Sequence, residues 1–350
     1  MSNRLRIAIV GLRFGSYLIE RMLTGDGKEF FEIAAVCDLD RQRADGMAGK
    51  LGVPAYYSLH DLLTMPDLPT IGLFTPPVGR AEQIRQIIRS GRDVMTTKPF
   101  ELDPQTALDV LAEASSLGRV VHLNSPPPLP SPDLQQFEAW RTKYGLGRVI
   151  SVRAEPWHGG GFGEEADGSW YDDPVRCPVA PIFRIGIYGI NDLVWLLGEP
   201  EAVQVMHTRM VTRRPTPDTA QLTVRFKNGT IGTVFATIAV NDGENWDNRL
   251  TVQYERGTIK RLRGTGQGKG GGNQRTAILT LAALDAQNQP VHEQVEVNTV
   301  SGDYQWESFY RAVKGEKLDG QTRPEQIAAG IRIIQAMARA EQSGQTEPVV

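Results

Sequence analysis

The sequence predicts two packed units. Residues 1–124 read as an α/β domain with a doubly wound parallel sheet, and residues 125–350 as an α+β domain on a large, open, mostly antiparallel sheet. Three observations carry that expectation. A short apolar run, Ile7-Ala-Ile-Val10, breaks at Gly11 and passes Gly15 and Ser16 into a helical segment from Tyr17. Strand-like and helix-like segments then alternate as far as Leu123, the order that builds a parallel sheet with helices on both faces. Beyond the stiff stretch Pro126-Pro-Pro-Leu-Pro-Ser-Pro132, strands alternate apolar with polar residues, which suits a sheet with one buried and one open face. The length of 350 residues agrees, since one hydrophobic core rarely grows past about 300 residues.

A strand that breaks at glycines and feeds a helix N-terminus is a site for a dinucleotide pyrophosphate, because backbone N–H groups and the positive end of the helix dipole converge there. The Rossmann fingerprint G-x-G-x-x-G/A reads here as Gly11-Leu-Arg13-Phe14-Gly15-Ser16, with Arg13 where the second glycine normally stands. Gly11, Arg13, Phe14 and Gly15 are therefore the candidate cofactor contacts; an ordinary tight turn is the alternative. Phe31 to Asp38 is a second buried strand ending in a carboxylate, which accepts from ribose hydroxyls and repels a 2′-phosphate. Asp38 favours NAD, Arg41 and Arg43 keep NADP possible, and a helix N-cap is the structural alternative for Asp38. Further strands follow at 53–57, 70–75, 93–97 and 119–123, with helices at 59–63, 82–88 and 104–117 between them. Ligands bind such sheets at the C-terminal ends of the strands, where Thr75, Pro76, Lys98 and Pro99 fall.

Composition narrows the partners. A net charge of −3 gives no reason to expect nucleic acid or an anionic membrane surface. Cys37 and Cys177 are too few and too far apart for a zinc site or a disulfide framework, so no metal is expected. No apolar run approaches the ~20 residues of a membrane span, and no apolar leader follows Met1, so a cytoplasmic location is expected.

In the second unit, Asp133 is positioned to cap a helix over 134–144, and Val149 opens a strand. The segment from Trp157 to Pro174 is rich in glycine and aromatics and has no period, as in lids and ligand walls. His158 could donate to a hydroxyl or anion there, and Trp170 and Tyr171 could stack on a sugar ring; packing the loop down is the alternative for each. Strands are expected at 202–212, 220–226, 230–240, 249–254, 276–282 and 291–297. The run Gly264 to Asn273 lacks phosphate-loop spacing and reads as a flexible hairpin tip, with Arg261 and Arg263 beside it solvated.

The glycine loop, Asp38, Thr75-Pro76, Lys98-Pro99, Gly186-Ile-Tyr-Gly-Ile-Asn191 and the hairpin Leu222 to Thr230 recur in a shared order that resembles the glucose–fructose oxidoreductase / inositol dehydrogenase (Gfo/Idh/MocA) family. The resemblance spans nearly the whole chain. It implies an NAD(P)-dependent dehydrogenase acting on CH–OH groups of a sugar, sugar acid or polyol, and a homodimer or homotetramer formed through the C-terminal sheet. The family's E-K-P motif appears as Thr97-Lys98-Pro99, which makes Lys98 a candidate catalytic residue beside the nicotinamide. The helix motif D-x-G-x-H appears as Arg184-Ile-Gly-Ile-Tyr188, so Tyr188 takes the proton-transferring position. The I-Y-G-x-N variant of that helix brings in Asn191 as a substrate contact.

Two positions depart from the family. Arg184 replaces an acid; arginine cannot act as a base but clamps carboxylates, so a substrate with an anionic group is expected, the alternative being a counter-charge to an acid such as Asp173. Arg80 adds a further cation near the sheet edge. Two other classes stay open: an enzyme using bound NAD transiently for epimerisation, elimination or glycoside cleavage through a keto intermediate, and a non-catalytic sensor or partner protein.

Overall fold

The computed structural model describes residues 4–241, 246–263, 276–298, 302–318 and 321–350. The glycine-rich run 264–273 lies outside them. The chain opens with β1 (Leu5–Val10), α1 (Leu12–Thr24), α2 (Gly27–Phe30), β2 (Phe31–Cys37), α3 (Arg41–Leu51), β3 (Ala55–Tyr56) and α4 (Leu59–Leu62). It continues with β4 (Thr70–Leu73), α5 (Arg80–Arg89), β5 (Asp93–Thr96), α6 (Pro104–Ser116) and β6 (Val121–Leu123). The six strands lie parallel in the order β3-β2-β1-β4-β5-β6. Strand order reverses at β1/β4, which opens a crevice at their C-terminal ends. The four residues of β4, and likewise of β5, are all buried, polar Thr70, Asp93 and Thr96 included, as strands covered on both faces require.

One expectation changes at the first turn. α1 begins at Leu12, directly after Gly11, and not at Tyr17. Gly11 makes this possible: its φ is 85°, and a Cβ there would lie 2.9 Å from the Phe74 carbonyl. Only glycine bends the chain this sharply this close to β4.

The second unit runs through α7 (Pro132–Tyr144), β7 (Val149–Trp157), α8 (Ile187–Leu197), β8 (Pro200–Thr208), β9 (Thr219–Phe226), β10 (Ile231–Thr237), β11 (Asp247–Tyr254), β12 (Gly257–Arg263), β13 (Ala277–Leu284) and β14 (Pro290–Val297). Two helices, α9 (Trp306–Val313) and α10 (Pro324–Ser343), and a short β15 (Glu347–Pro348) close the chain. The nine strands order as β14-β13-β12-β11-β7-β10-β9-β8-β15, and β7/β10 is the parallel pair of an otherwise antiparallel sheet. Burial alternates along β9 and β11, so one face packs on α8 and α10 around Ile190, Leu193, Ile333 and Met337.

The C-terminal helices return to the first sheet. Trp306 and Phe309 of α9 pack on Phe31, the Phe309 ring stacked at 5.4 Å, and fill that core beside Ile7 and Ile9. In α10, Ile331 belongs to the first domain's core and Ile334 to the second's.

Three readings are corrected here. The strand β12 was missing from the expected set. Its Arg261 is not solvated but 1% exposed, bonded to Asp133 and Asp192 at 2.7 Å each. Asp133 therefore does not cap α7, whose N-cap position is Ser131. The cause is common to all three: a charged residue at a buried strand position hides the alternation, and only its carboxylate partners, 69 and 128 positions away, make that burial tolerable.

Candidate active site

At the dinucleotide end, the N-cap of α1 is Gly11, which has no side chain to cap the first turn. The Leu12 N–H donates to Asp38 Oδ2 at 2.7 Å, while the N–H groups of Arg13 and Phe14 sit in a first turn with no side-chain cap. That is a donor set suited to a pyrophosphate, so these residues fit a bound dinucleotide. Asp38 Oδ1 also accepts from the Asp40 N–H at 2.9 Å and from Arg43 at 3.1 Å. These three bonds leave Oδ2 one acceptor position, enough for a ribose hydroxyl. The N-cap of α3 is Asp40, not Asp38. Arg43 is held between Asp38 and Asp40, and Arg41 lies 4.1 Å from the centre of the Tyr57 ring. Arg43 alone of the two contacts the Asp38 carboxylate.

Thr75 and Pro76 follow β4; the Thr75 hydroxyl donates to Gln83 at 2.6 Å. Arg80 is no surface cation. It is 1% exposed, and its guanidinium donates to the carbonyls of Thr75, Thr97 and Pro99. One buried side chain thus ties the loop after β4 to the loop after β5, and burial pulls its pKa down to about 10.

Lys98 leaves the end of β5, its N–H held by Asn124 Oδ1 at 2.9 Å. Its ammonium donates to the Arg184 carbonyl and lies 4.6 Å from the centre of the Tyr188 ring. Tyr188 stands in the first turn of α8, 7% exposed, with the Trp246 ring edge-on at 5.5 Å. A π-helical turn, Ile182–Gly186, precedes α8 and carries Arg184. Such widened turns concentrate at functional sites. Asn191, one turn along α8, is buried and donates to Ser125 at 2.9 Å, which fixes the helix to the domain link.

The long loop supplies the other wall. His158 Nδ1 accepts from the Gly160 N–H at 2.8 Å, so the neutral ring carries its proton on Nε2. Burial, then the charge of Arg184, lowers the His158 pKa to about 4, with Glu164 opposing. Trp170 packs down on Tyr171 and Phe183, at 4.2 and 5.9 Å, and so ties the loop to the core of the second domain.

Arg184 is paired, and not with Asp173. It donates to both oxygens of Glu164 at 2.8 and 2.9 Å, with its guanidinium 4.2 Å from the centre of the Tyr171 ring. The guanidinium expected to clamp a substrate carboxylate already holds one from its own chain. Arg214, 6% exposed, bonds Glu164, Asp167 and Asp172 at 2.9, 2.9 and 2.7 Å, and Asp167 pairs with Arg13 across the crevice. Glu164, Asp167, Arg214 and Trp246 were not foreseen, nor was Gly302, whose carbonyl accepts from Asn124 at 3.0 Å beside the Tyr188 ring. The acids of 164–172 and the arginines near 214 were visible as opposite charge clusters, but nothing local says that they meet.

Among the described residues, no group of His, Cys, Asp and Glu is placed to hold a metal ion. A cavity of 530 Å³ lined by Trp195, Tyr254, Arg141 and Arg148 lies at the other end of β7, ~30 Å from His158 at 3.3 Å per residue.

Residues 5–125 match the family model described as an oxidoreductase family with an NAD-binding Rossmann fold, and residues 134–260 match the GFO/IDH/MocA C-terminal domain. Solved structures share the fold over nearly the whole chain. An NAD-binding oxidoreductase from Klebsiella pneumoniae is 16% identical, with 99% of both chains covered and a TM-score of 0.74. Aldose–aldose oxidoreductase from Caulobacter crescentus, complexed with glycerol, is 18% identical over 99% of both chains, TM-score 0.74. The WlbA dehydrogenase from Bordetella pertussis, complexed with NADH and UDP-GlcNAcA, is 16% identical over 99% of both chains, TM-score 0.69. No curated protein matches the chain significantly.

Proposed function

This chain belongs to the Gfo/Idh/MocA family of NAD(P)-binding oxidoreductases, and from that premise we propose that it transfers a hydride between a nicotinamide and a secondary alcohol or ketone of a sugar or polyol. The observation that carries the reading is the ammonium of Lys98 set 4.6 Å from the Tyr188 ring centre at the C-terminal end of β5. Bound along Gly11, Arg13, Phe14 and Asp38, the dinucleotide supplies the hydride acceptor. Tyr188 exchanges the hydroxyl proton, and Lys98 offers the positive charge that a phenoxide needs at that moment. The His158 Nε2–H orients the substrate oxygen.

Lys98→Met and Tyr188→Phe should each lower kcat by about 10²–10⁴-fold, with NADH affinity by calorimetry kept within a few-fold. Full activity in both variants would remove the catalytic assignment. Asp38, with its free acceptor position, supports NADH over NADPH; equal affinity for the two would assign the site instead to Arg41 and Arg43.

A second reading draws on the Arg13–Asp167 pair, which spans the crevice beside the glycine loop. A clasp there slows nucleotide exchange and suits transient use of a retained cofactor, as in epimerisation. NAD(H) co-purifying with the protein, without net NADH formation, favours it.

We also propose a homo-oligomer through the open sheet face, where Ile231, Phe235 and Met206 are 50%, 39% and 77% exposed. Phe235→Glu should shift the mass by light scattering toward that of one chain.

A further inference from the structure

The loops after β4 and β5 carry Thr75 and Lys98, and one side chain reaches both. Arg80 Nη1 donates to the carbonyls of Thr97 and Pro99, the residues on either side of Lys98, and Nη2 donates to the Thr75 carbonyl. The Thr97–Lys98 peptide is thereby fixed at both ends, because its N–H donates to Asn124 Oδ1 at 2.9 Å. Asn124 in turn donates to the Gly302 carbonyl at 3.0 Å, and the Tyr304 hydroxyl donates to Thr97 Oγ1 at 2.8 Å.

The position is an unfavourable one for a cation. Arg80 is 1% exposed and is the first residue of α5, where the helix dipole disfavours positive charge. Its Nε is buried without a hydrogen-bond partner. Glu101, whose charge favours the cation, has its oxygens bonded to the N–H groups of Ala81 and Leu102 at 3.0 and 2.8 Å. Among the described residues the Arg80 guanidinium makes no ion pair, and burying a charge without one is a cost to folding. What arginine supplies there, and a neutral side chain lacks, is a planar fork of donors long enough to span two loops.

Lys98 has use for such an anchor. Its four-carbon stem is flexible, yet the ammonium stands 4.6 Å from the centre of the Tyr188 ring, on the other domain. The Arg184 carbonyl holds the ammonium end, and Arg80 with Asn124 holds the backbone end.

We infer that Arg80 is a positioning residue for Lys98: its guanidinium fork sets the backbone on both sides of Lys98 so that the ammonium meets the Tyr188 ring. The functional weight of the inference rests on the hydride-transfer reading, which it deepens; the placement itself is measurable without a substrate.

The test is nuclear magnetic resonance of the full-length protein labelled with 13C at lysine Cε. The Tyr188 ring shields the Lys98 Hε protons, so their signal, identified by its loss in Lys98→Met, should lie at lower frequency in the wild type than in Tyr188→Leu. Arg80→Met should lose most of that displacement. Arg80→Lys keeps the charge but not the fork and should lose a smaller part. Ile84→Ala opens a cavity beneath the same helix without touching either loop, and should keep the wild-type signal while losing stability in urea. With NAD and D-glucose or myo-inositol as probes, kcat of Arg80→Met should fall by about tenfold or more. An unshielded Lys98 in the wild type, a wild-type signal in Arg80→Met or Arg80→Lys, or an equal displacement in Ile84→Ala would each overturn the inference. Should Arg80→Met fail to fold, Arg80→Lys decides. Turnover of neither probe counts against hydride transfer instead, and the lysine signals still judge Arg80.

Discussion

Gly302 shows how tightly single positions are fitted to Tyr188. Its φ is 99°, and a Cβ there would lie 2.5 Å from the Tyr188 ring. Its carbonyl also accepts from Asn124, the residue that holds the Lys98 N–H. Gly302→Ala must therefore displace the ring or the loop, and both move Tyr188 relative to Lys98. A displacement of about 1 Å costs roughly 10²-fold when the reacting groups are preorganised. We expect kcat to fall by at least tenfold with NADH affinity retained, read from steady-state kinetics and calorimetry on one preparation. Wild-type kcat in Gly302→Ala would show that Tyr188 tolerates the shift. At this scale the sequence was informative where candidates lie in linear motifs: Lys98 before Pro99 and Tyr188 on its helix come within 4.6 Å, and Asp38 after its strand receives the Leu12 N–H. It was silent on Glu164 and Arg214, which lie 20 and 30 positions from Arg184 and meet it only through the fold. It also misplaced Arg80, because a sequence shows a cation but not the three carbonyls that receive it.

Among elements, α8 carries Tyr188, and its position is set by a buried ion triad. Arg261 on β12 donates to Asp192 on α8, to Asp133 on α7 and to the Asn248 carbonyl on β11 at 2.7, 2.7 and 3.0 Å. The next residue to Asp192 is Asn191, bonded to the domain link at Ser125. Arg261→Met would remove the cation that bonds both buried carboxylates, and breaking a buried ion pair costs about 3–5 kcal/mol. Equilibrium unfolding in urea should show that loss. Replacing Asp133 and Asp192 by leucine in the same chain should recover most of it, because apolar residues of similar volume replace a buried ion group at little or no cost. If Arg261→Met alone stays within 1 kcal/mol of wild type, the triad does not set the position of α8. The alternation of β9, β11 and β13 was legible because apolar residues mark the buried face; β12 was not, because Arg261 occupies one of its inward positions.

Across the whole molecule, the two sheets share their cores through the C-terminal helices, and His122 lies at that seam. It is 2% exposed on β6, with its ring 5.5 Å from Phe309 of α9 and Nε2 3.4 Å from Ser308. Burial lowers its pKa to about 3, from about 6.5 in an unfolded chain. The sign follows from that direction. Between these values the unfolded chain binds a proton that the native protein does not, so the stability present above pH ~6.5 is lost as pH falls toward 3. His158, lowered to about 4, acts in the same direction. Asp26 and Asp93, raised by burial, act in the opposite one. Each histidine contributes up to about 1.4 kcal/mol per pH unit. The comparison between wild type and His122→Asn isolates one of them, because the other groups are common to both. Urea unfolding from pH 6.5 to pH 4.5 should show wild-type stability falling more steeply than that of the variant, by roughly 1 kcal/mol per pH unit. Parallel curves would mean that His122 accepts its proton without unfolding, and that the packing of α9 on the first sheet is looser than its 5.4 Å aromatic stack implies.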